Sequence, residues 1–266
     1  MKIPALGFGT FRLTDEVAYQ AVKSALSLGY RHIDTAQIYG NESQVGQAVA
    51  DSQLDRERLF VTSKVWNDNL SQARFTESVK ESLARLQMPH LDLLLIHWPA
   101  PPSGVKLQQA IQALYQAQQA GLSKHIGVSN FTIEQLALCK SLLPKDTPLV
   151  NQIEVHPYLQ NNRLREYCQS QGIAVTAYMP FAVGKVLKDK VINTIADKHK
   201  ATPAQVVIAW ILRQGMSTIP SSTKPKNMIQ NLAGRHLVLD EDDMAKIRLL
   251  DRGDRQANPD FSPKWD

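Results

Sequence analysis

The 266-residue chain has only two cysteines, Cys139 and Cys168. They lie far apart, and neither has a Cys or His at metal-ligand spacing, which excludes a disulfide framework and a thiolate metal site. Both are expected to be free, buried thiols. No pair of histidines is spaced as H-x-x-x-H and no serine sits in a nucleophile-elbow pattern, so zinc-dependent and serine-type hydrolysis lose their usual signatures; no metal is expected. No apolar run approaches the roughly 18 residues of a membrane span. Basic residues are interspersed with acids, without a basic run, although the net charge is +5. Nucleic acid is therefore not an expected partner, whereas a small anionic ligand is compatible with the charge. Met1-Lys2-Ile3-Pro4 leads straight into a strand-like segment, so no secretory leader is expected, and reduced thiols fit a cytoplasmic location.

A glycine-rich phosphate loop is also missing. Gly7-Phe8-Gly9-Thr10-Phe11-Arg12 carries two of the three glycines of G-x-G-x-x-G; Arg12 takes the third position and no acid follows at the expected distance on a second strand end. That weakens the open, doubly wound sheet as a reading of the chain.

What the chain does have is a regular alternation of strand-like apolar runs and helical periodicity from end to end. Strands are predicted at residues 4–9, 31–33, 59–65, 91–96, 124–129, 149–155, 173–178 and 216–220. Helices are predicted at 15–28, 42–50, 71–86, 105–120, 132–143, 163–171 and 186–199, then at about 203–214, 226–233 and 241–250. Gly29, Gly121 and Gly172 read as helix stops, Ser71 and Thr202 as N-caps, and Pro203 as a first helical residue. The uninterrupted Leu91-Asp92-Leu93-Leu94-Leu95-Ile96 suits a parallel strand covered on both faces. Eight strands, each followed by helix, predict one (β/α)8 barrel domain over residues 1–266, with two extra helices at about 203–214 and 241–250.

A barrel of this kind carries its active site at the C-terminal ends of its strands. Polar residues recur there one βα unit apart: Asp34, Lys64, His97, Ser129 with Asn130, Gln152, Tyr178, and Ser221-Ser222. Tyr39 follows Asp34 in the loop. Singly, these could be a helix-capping acid, a loop tyrosine, a solvated lysine and a core histidine; gathered at one mouth they read as a site. A phenol with an ordinary pKa near 10 is a weak acid at neutral pH. A neighbouring Lys64 ammonium is expected to lower that value, with Asp34 fixing the lysine and His97 donating a hydrogen bond to a substrate oxygen. Such a group suits protonation of a carbonyl oxygen while hydride arrives at its carbon, and the hydride has to come from a cofactor.

The stretches Gly29-Tyr30-Arg31-His32-Ile33-Asp34-Thr35-Ala36 with Tyr39-Gly40-Asn41-Glu42, Leu94-Leu95-Ile96-His97-Trp98-Pro99, Ile126-Gly127-Val128-Ser129-Asn130-Phe131, Asn151-Gln152-Ile153-Glu154-Val155-His156-Pro157-Tyr158 and Ile219-Pro220-Ser221-Ser222 resemble the aldo-keto reductase superfamily along nearly the whole chain. The resemblance implies a monomeric NADPH-dependent reductase of small aldehydes and ketones, such as 2,5-diketo-D-gluconate (to 2-keto-L-gulonate), methylglyoxal-like aldehydes and keto esters. It implies a catalytic tetrad of Asp34, Tyr39, Lys64 and His97, with Tyr39 as general acid. It assigns the nicotinamide carboxamide to Ser129, Asn130 and Gln152, ring stacking to Tyr178, the pyrophosphate to the loop at 179–187, and the 2′-phosphate to Ser222, Thr223 and Lys224. Ser221 and Asn227 stand where the family has lysine and arginine, so Lys224 and Lys226 are expected to supply the charge; Met179 replaces the common serine after the stacking tyrosine. The tail at 258–265 corresponds to a specificity loop over the barrel mouth. Trp66, Trp98, Phe8, Phe11 and Trp265 are the candidate walls of the substrate pocket. Two other classes share the pattern: a non-catalytic NADP-binding protein of the same fold, and a lyase forming a Schiff base at Lys64.

Overall fold

The structure is a computed structural model that describes residues 1–266. Eight parallel strands follow one another around the sheet in chain order: β1 Phe8–Gly9, β2 His32–Asp34, β3 Phe60–Val65, β4 Leu91–Ile96, β5 Ser123–Ser129, β6 Val150–Glu154, β7 Ala174–Tyr178 and β8 Ser217–Thr218. Ten α-helices surround them: α1 Asp15–Ser27, α2 Glu42–Asp51, α3 Gln72–Leu86, α4 Leu107–Gln119, α5 Ile133–Leu142, α6 Asn162–Ser170, α7 Lys190–Lys198, α8 Pro203–Arg213, α9 Pro225–Ala233 and α10 Glu241–Arg248. The expected (β/α)8 barrel and its additional helices are present.

The sheet closes between its first and last strands. A parallel bridge pairs Leu6 with Thr218. Gly7 N–H donates to Thr218 O at 2.8 Å, Thr218 N–H to Ala5 O at 2.9 Å and Gly9 N–H to Pro220 O at 3.1 Å. The glycines of the incomplete phosphate motif serve this closure. A Cβ on Gly7 would stand 2.6 Å from His32 Nδ1, and one on Gly9 would stand 2.6 Å from the Ile219 carbonyl oxygen. The first and last strands, two residues each, are shorter than their apolar runs predict, and beyond Thr218 the Pro220 carbonyl accepts from Gly9 but Pro220 has no N–H to give back.

Period-two alternation divides each strand between the barrel interior and the helix layer. On β4, Leu94 and Ile96 join the large core between sheet and helices, while Leu93 and Leu95 meet Val150 in a small cluster with Ile3, Phe60 and Ala174 partly covering it. This apolar plug fills the lower barrel, so the polar residues higher on the strands gather at one open end. Helix ends follow local chemistry. Thr202 and Gln205 form a capping box with Pro203 in the first turn of α8. The run predicted as a helix from residue 186 begins later, because Asp189 accepts the N–H groups of Val191 and Ile192 and so starts α7 there. Ser71 precedes α3 but makes no side-chain cap. Both cysteines are buried and free, and burial pushes each thiol up to about 12. No helix is long and apolar enough to cross a membrane.

Candidate active site

The site is built on an inward-facing layer of charge just above the apolar plug. Lys64 Nζ donates to Asp34 Oδ1 at 2.6 Å and to the Thr35 carbonyl at 2.8 Å. Gln152 Nε2 donates to the other carboxylate oxygen, Asp34 Oδ2, at 2.8 Å. The Lys64 and Asp34 side chains are 1% and 2% exposed. Burial pulls the Lys64 ammonium below its ordinary value, and Asp34 opposes that pull. Lys64 does not line the cavity above, whereas Asp34 does. The amine is therefore spoken for by two acceptors and out of reach of a carbonyl substrate, which removes the support for Schiff-base chemistry.

Tyr39 lies directly above this pair. It ends a short 3₁₀ turn, Gln37–Tyr39, held by amide side chains from both sides. Asn41 accepts from Thr35 Oγ1 at 2.7 Å and donates to the carbonyls of Thr10 and Leu13 at 2.9 and 2.8 Å. Gln37 accepts from Trp66 N–H at 2.8 Å and Asn69 Nδ2 at 3.0 Å while donating to the Ser78 carbonyl at 3.1 Å. The loops after β1, β2 and β3 are thereby tied into one frame. Lys64 Nζ lies 5.1 Å from the Tyr39 ring centroid. The His97 ring stands edge-on to Tyr39 and Trp66, with centroids 5.7 and 5.3 Å away.

The electrostatics correct one expectation. Lys64 was expected to make Tyr39 more acidic. Instead, burial first and the Asp34 carboxylate second hold the phenol well above its ordinary value. The physical reason is that Asp34 neutralises the lysine while the half-buried Tyr39 is packed among protein groups that favour the neutral phenol. Burial, with Lys64 adding to it, holds His97 well below its ordinary value, so the imidazole is neutral. Its Nδ1 is buried with no partner in the protein. The mouth thus presents a protonated phenol and a neutral imidazole.

The opposite wall is a chain of amides and hydroxyls. Ser129 Oγ donates to the Gln152 carbonyl at 2.8 Å. Asn130, at φ +64°, donates to the His97 carbonyl at 3.0 Å and accepts from Tyr178 OH at 2.7 Å. A cavity of about 720 Å³ opens between these residues and the rim, and Ser129, Asn130, Gln152 and Tyr178 line it with Tyr39 and His97. Its side is formed by the β7–α7 loop, where Met179, Ala182 and Val183 all have positive φ; for the β-branched Val183 that is a strained conformation. Ser222, Thr223 and Lys224 lie just outside the cavity, before α9; Ser222 Oγ accepts from Lys224 N–H at 3.1 Å and Ser221 lines the cavity itself. Thr223, Lys224 and Lys226 are exposed.

Of the expected pocket walls, Trp66, Trp98 and Phe11 line the cavity. Phe8 does not: the strand period turns it outward between the inward Gly7 and Gly9, and it is fully buried against Tyr30 with ring centroids 5.7 Å apart. Trp265 stands behind Trp98, 6.1 Å between centroids, beneath the Arg255 guanidinium and bonded to Asn258. The roof is Phe261, whose ring is edge-on to Trp66 and Trp98 at 5.8 and 5.6 Å. Asn258, Pro259 and Phe261 fall within the tail expected over the mouth, but Trp265 rather than Phe261 was the aromatic expected to wall the pocket, and Gln256 and Ala257 lie just before that tail.

Comparison with known proteins agrees with this geometry. The profile of the Aldo/keto reductase family matches residues 5–252. The methylglyoxal reductase DkgB of Salmonella typhimurium is 48% identical over 267 residues, covering 100% of each chain. The glyoxal reductase of Bacillus subtilis is 40% identical, over 98% of this chain and 94% of that one. A crystal structure provisionally described as a 2,5-diketo-D-gluconic acid reductase B superposes with a TM-score of 0.95 at 40% identity, over 99% of this chain and 94% of the other.

Proposed function

Because this chain belongs to the aldo/keto reductase family, we propose that it reduces small aldehydes and ketones to alcohols with NADPH, Tyr39 delivering the proton. The observation that carries this reading is the buried Lys64–Asp34 pair beneath Tyr39, beside a neutral His97, with Asp34, Tyr39 and His97 lining one cavity. The donor set fits a nicotinamide cofactor. Ser129, Asn130 and Gln152 are hydroxyl and amide groups suited to a carboxamide, Tyr178 offers a ring face, and Ser222, Thr223, Lys224 and Lys226 at the start of α9 suit a phosphate. When bound, NADPH supplies the hydride that reduces the carbonyl carbon.

The residues of the chain do the rest. His97 donates a hydrogen bond to the carbonyl oxygen and positions it. Tyr39 keeps its proton through the neutral range and passes it to that oxygen as negative charge builds there. The phenolate left behind lies over the Lys64–Asp34 pair, with Lys64 Nζ 5.1 Å from the ring centroid, and Asp34 with the Thr35 carbonyl holds Lys64 in place. Trp66, Trp98 and Phe261 exclude water and favour apolar substituents on the carbonyl.

Methylglyoxal-like aldehydes, 2,5-diketo-D-gluconate and keto esters are the substrates we assign; the reductase activities named for the relatives support the first of these. Lys224 and Lys226 would favour NADPH over NADH. A cytoplasmic monomer with one domain over 1–266 completes the reading. The test is a matrix of NADPH and NADH against these carbonyls, with Tyr39→Phe alongside. Turnover with NADPH that Tyr39→Phe abolishes supports the assignment. Full activity in Tyr39→Phe refutes the proton donor, and tight NADPH binding without turnover of any carbonyl would favour a non-catalytic cofactor-binding protein instead.

A further inference from the structure

Glu154 ends β6 two residues beyond Gln152, on the same inward face of the strand. It is fully buried, and its only titratable side-chain partner is His156, whose Nε2 lies 2.8 Å from Oε1. The carboxylate is otherwise satisfied by the backbone of the C-terminal tail. Oε1 accepts the Gln256 N–H at 2.7 Å and Oε2 accepts the Ala257 N–H at 2.8 Å. Two consecutive amides on the two oxygens of one carboxylate fix both the position and the direction of the segment. The residues so held run directly into Asn258, Pro259 and Phe261, which line the cavity. Upstream, the amides of Arg252 and Asp254 are held by the Tyr158 carbonyl, so the tail is moored to the loop after β6 before it crosses the mouth.

We propose that Glu154 is a positioning residue for the carbonyl substrate: through the amides of Gln256 and Ala257 it holds residues 256–261 as the roof of the cavity. This rests on the reductase reading above. A glutamine at 154 keeps one acceptor oxygen and sets an NH₂ against the other amide, so the roof loses its fixed height over Trp66 and Trp98. Neither proton delivery by Tyr39 nor the carboxamide wall depends on those two amides. The loss therefore falls on substrate affinity rather than on the chemical step.

The experiment compares wild type, Glu154→Gln, Phe261→Ala and the double variant with methylglyoxal and NADPH, and follows amide hydrogen exchange over residues 255–261. Glu154→Gln is expected to raise KM for methylglyoxal about tenfold, with kcat and the NADPH Kd within about twofold. In the Phe261→Ala background its effect on KM is expected to shrink below about threefold, because the two residues act through one roof. Exchange at Gln256 and Ala257 accelerates in Glu154→Gln. Equal effects on KM in both backgrounds, a proportionate loosening of NADPH, or unchanged exchange would each overturn the proposal. Absence of turnover in wild type, with accelerated exchange in the variant, refutes the reductase reading while leaving the tail contact intact. Should Glu154→Gln fail to fold, Ala257→Pro removes the N–H on the tail side; the same rise in KM is expected, and an unchanged KM overturns the proposal.

Discussion

Gln152 Nε2 donates a 2.8 Å hydrogen bond to Asp34 Oδ2 across the barrel interior, joining residues 118 apart in the chain. With Lys64 on Oδ1, both oxygens of Asp34 are committed. One carboxylate thus fixes the lysine beneath the phenol and one of the amides on the facing wall.

Asp34→Asn is expected to damage both stability and activity. It leaves Lys64 as a buried ammonium without its counter-charge, at a cost of about 3–5 kcal/mol. Denaturant midpoints should fall accordingly, and kcat should drop at least about 100-fold as the proton donor loses its support. A variant with wild-type stability would show that the pair does not carry the barrel interior.

The pH dependence of reduction should be a plateau. The Tyr39 phenol is held above its ordinary value by burial and Asp34, so it stays protonated as pH rises through the neutral range. His97 is held below its ordinary value by burial and Lys64, so it is already neutral as pH rises past 6.5. Steady-state kcat/KM for an aldehyde should therefore stay flat between roughly pH 6 and 9. A limb that falls between about pH 7 and 8 would mean that another group limits proton delivery.

Cofactor choice should depend on the start of α9. Lys224→Ala with Lys226→Ala is expected to weaken NADPH binding about tenfold or more and NADH binding about twofold or less, since only NADPH carries the 2′-phosphate. Fluorescence titration with each cofactor distinguishes this from a general loss of binding, in which both dissociation constants would rise together.

Acid stability has a separate origin on the far side of the fold. Lys198 joins Asp240 and Asp243 at 2.5 and 2.8 Å and so ties α7 to α10. Hydrogen bonding from Lys198, aided by the Asp243 backbone, lowers the Asp240 carboxyl to about 2. A depressed carboxylate stabilises the fold above its unfolded value, near 3.9, and loses that contribution as pH falls through the folded value. Thermal unfolding of wild type and Asp240→Asn should therefore differ at neutral pH and converge as pH falls from about 4 to about 2. A gap that persists at the acid end would assign the difference to something other than this charge.

Much of this molecule was legible in its residues, and the reasons are local. The interval between strand ends, together with apolar runs such as Leu91–Ile96, predicts the barrel, and the barrel alone brings Asp34, Tyr39, Lys64 and His97 to one mouth. Features that depend on burial or on contacts distant in sequence were not legible. An ammonium near a phenol suggests a lowered pKa, but only the packing reveals that Asp34 cancels it and that burial pushes the phenol the other way. Phe8 looks like a rim aromatic until the flanking glycines are seen to need the inward face for the closure of the sheet. Glu154 acquires its place from hydrogen bonds to Gln256 and Ala257 across about a hundred residues of chain, which no local pattern encodes.

The short join between β1 and β8 has a consequence for how this chain folds. Leu6 and Thr218 lie far apart in the sequence, and the two strands that meet there span only two residues each. Closing so long a loop for so few hydrogen bonds is favourable only after the intervening βα units have formed. The barrel should therefore grow as an open, curling sheet and shut last. In pulse-labelling during refolding, the amides of Gly7 and Thr218 are expected to gain protection after those of β3 to β6, and in the native protein to be among the first strand amides to exchange.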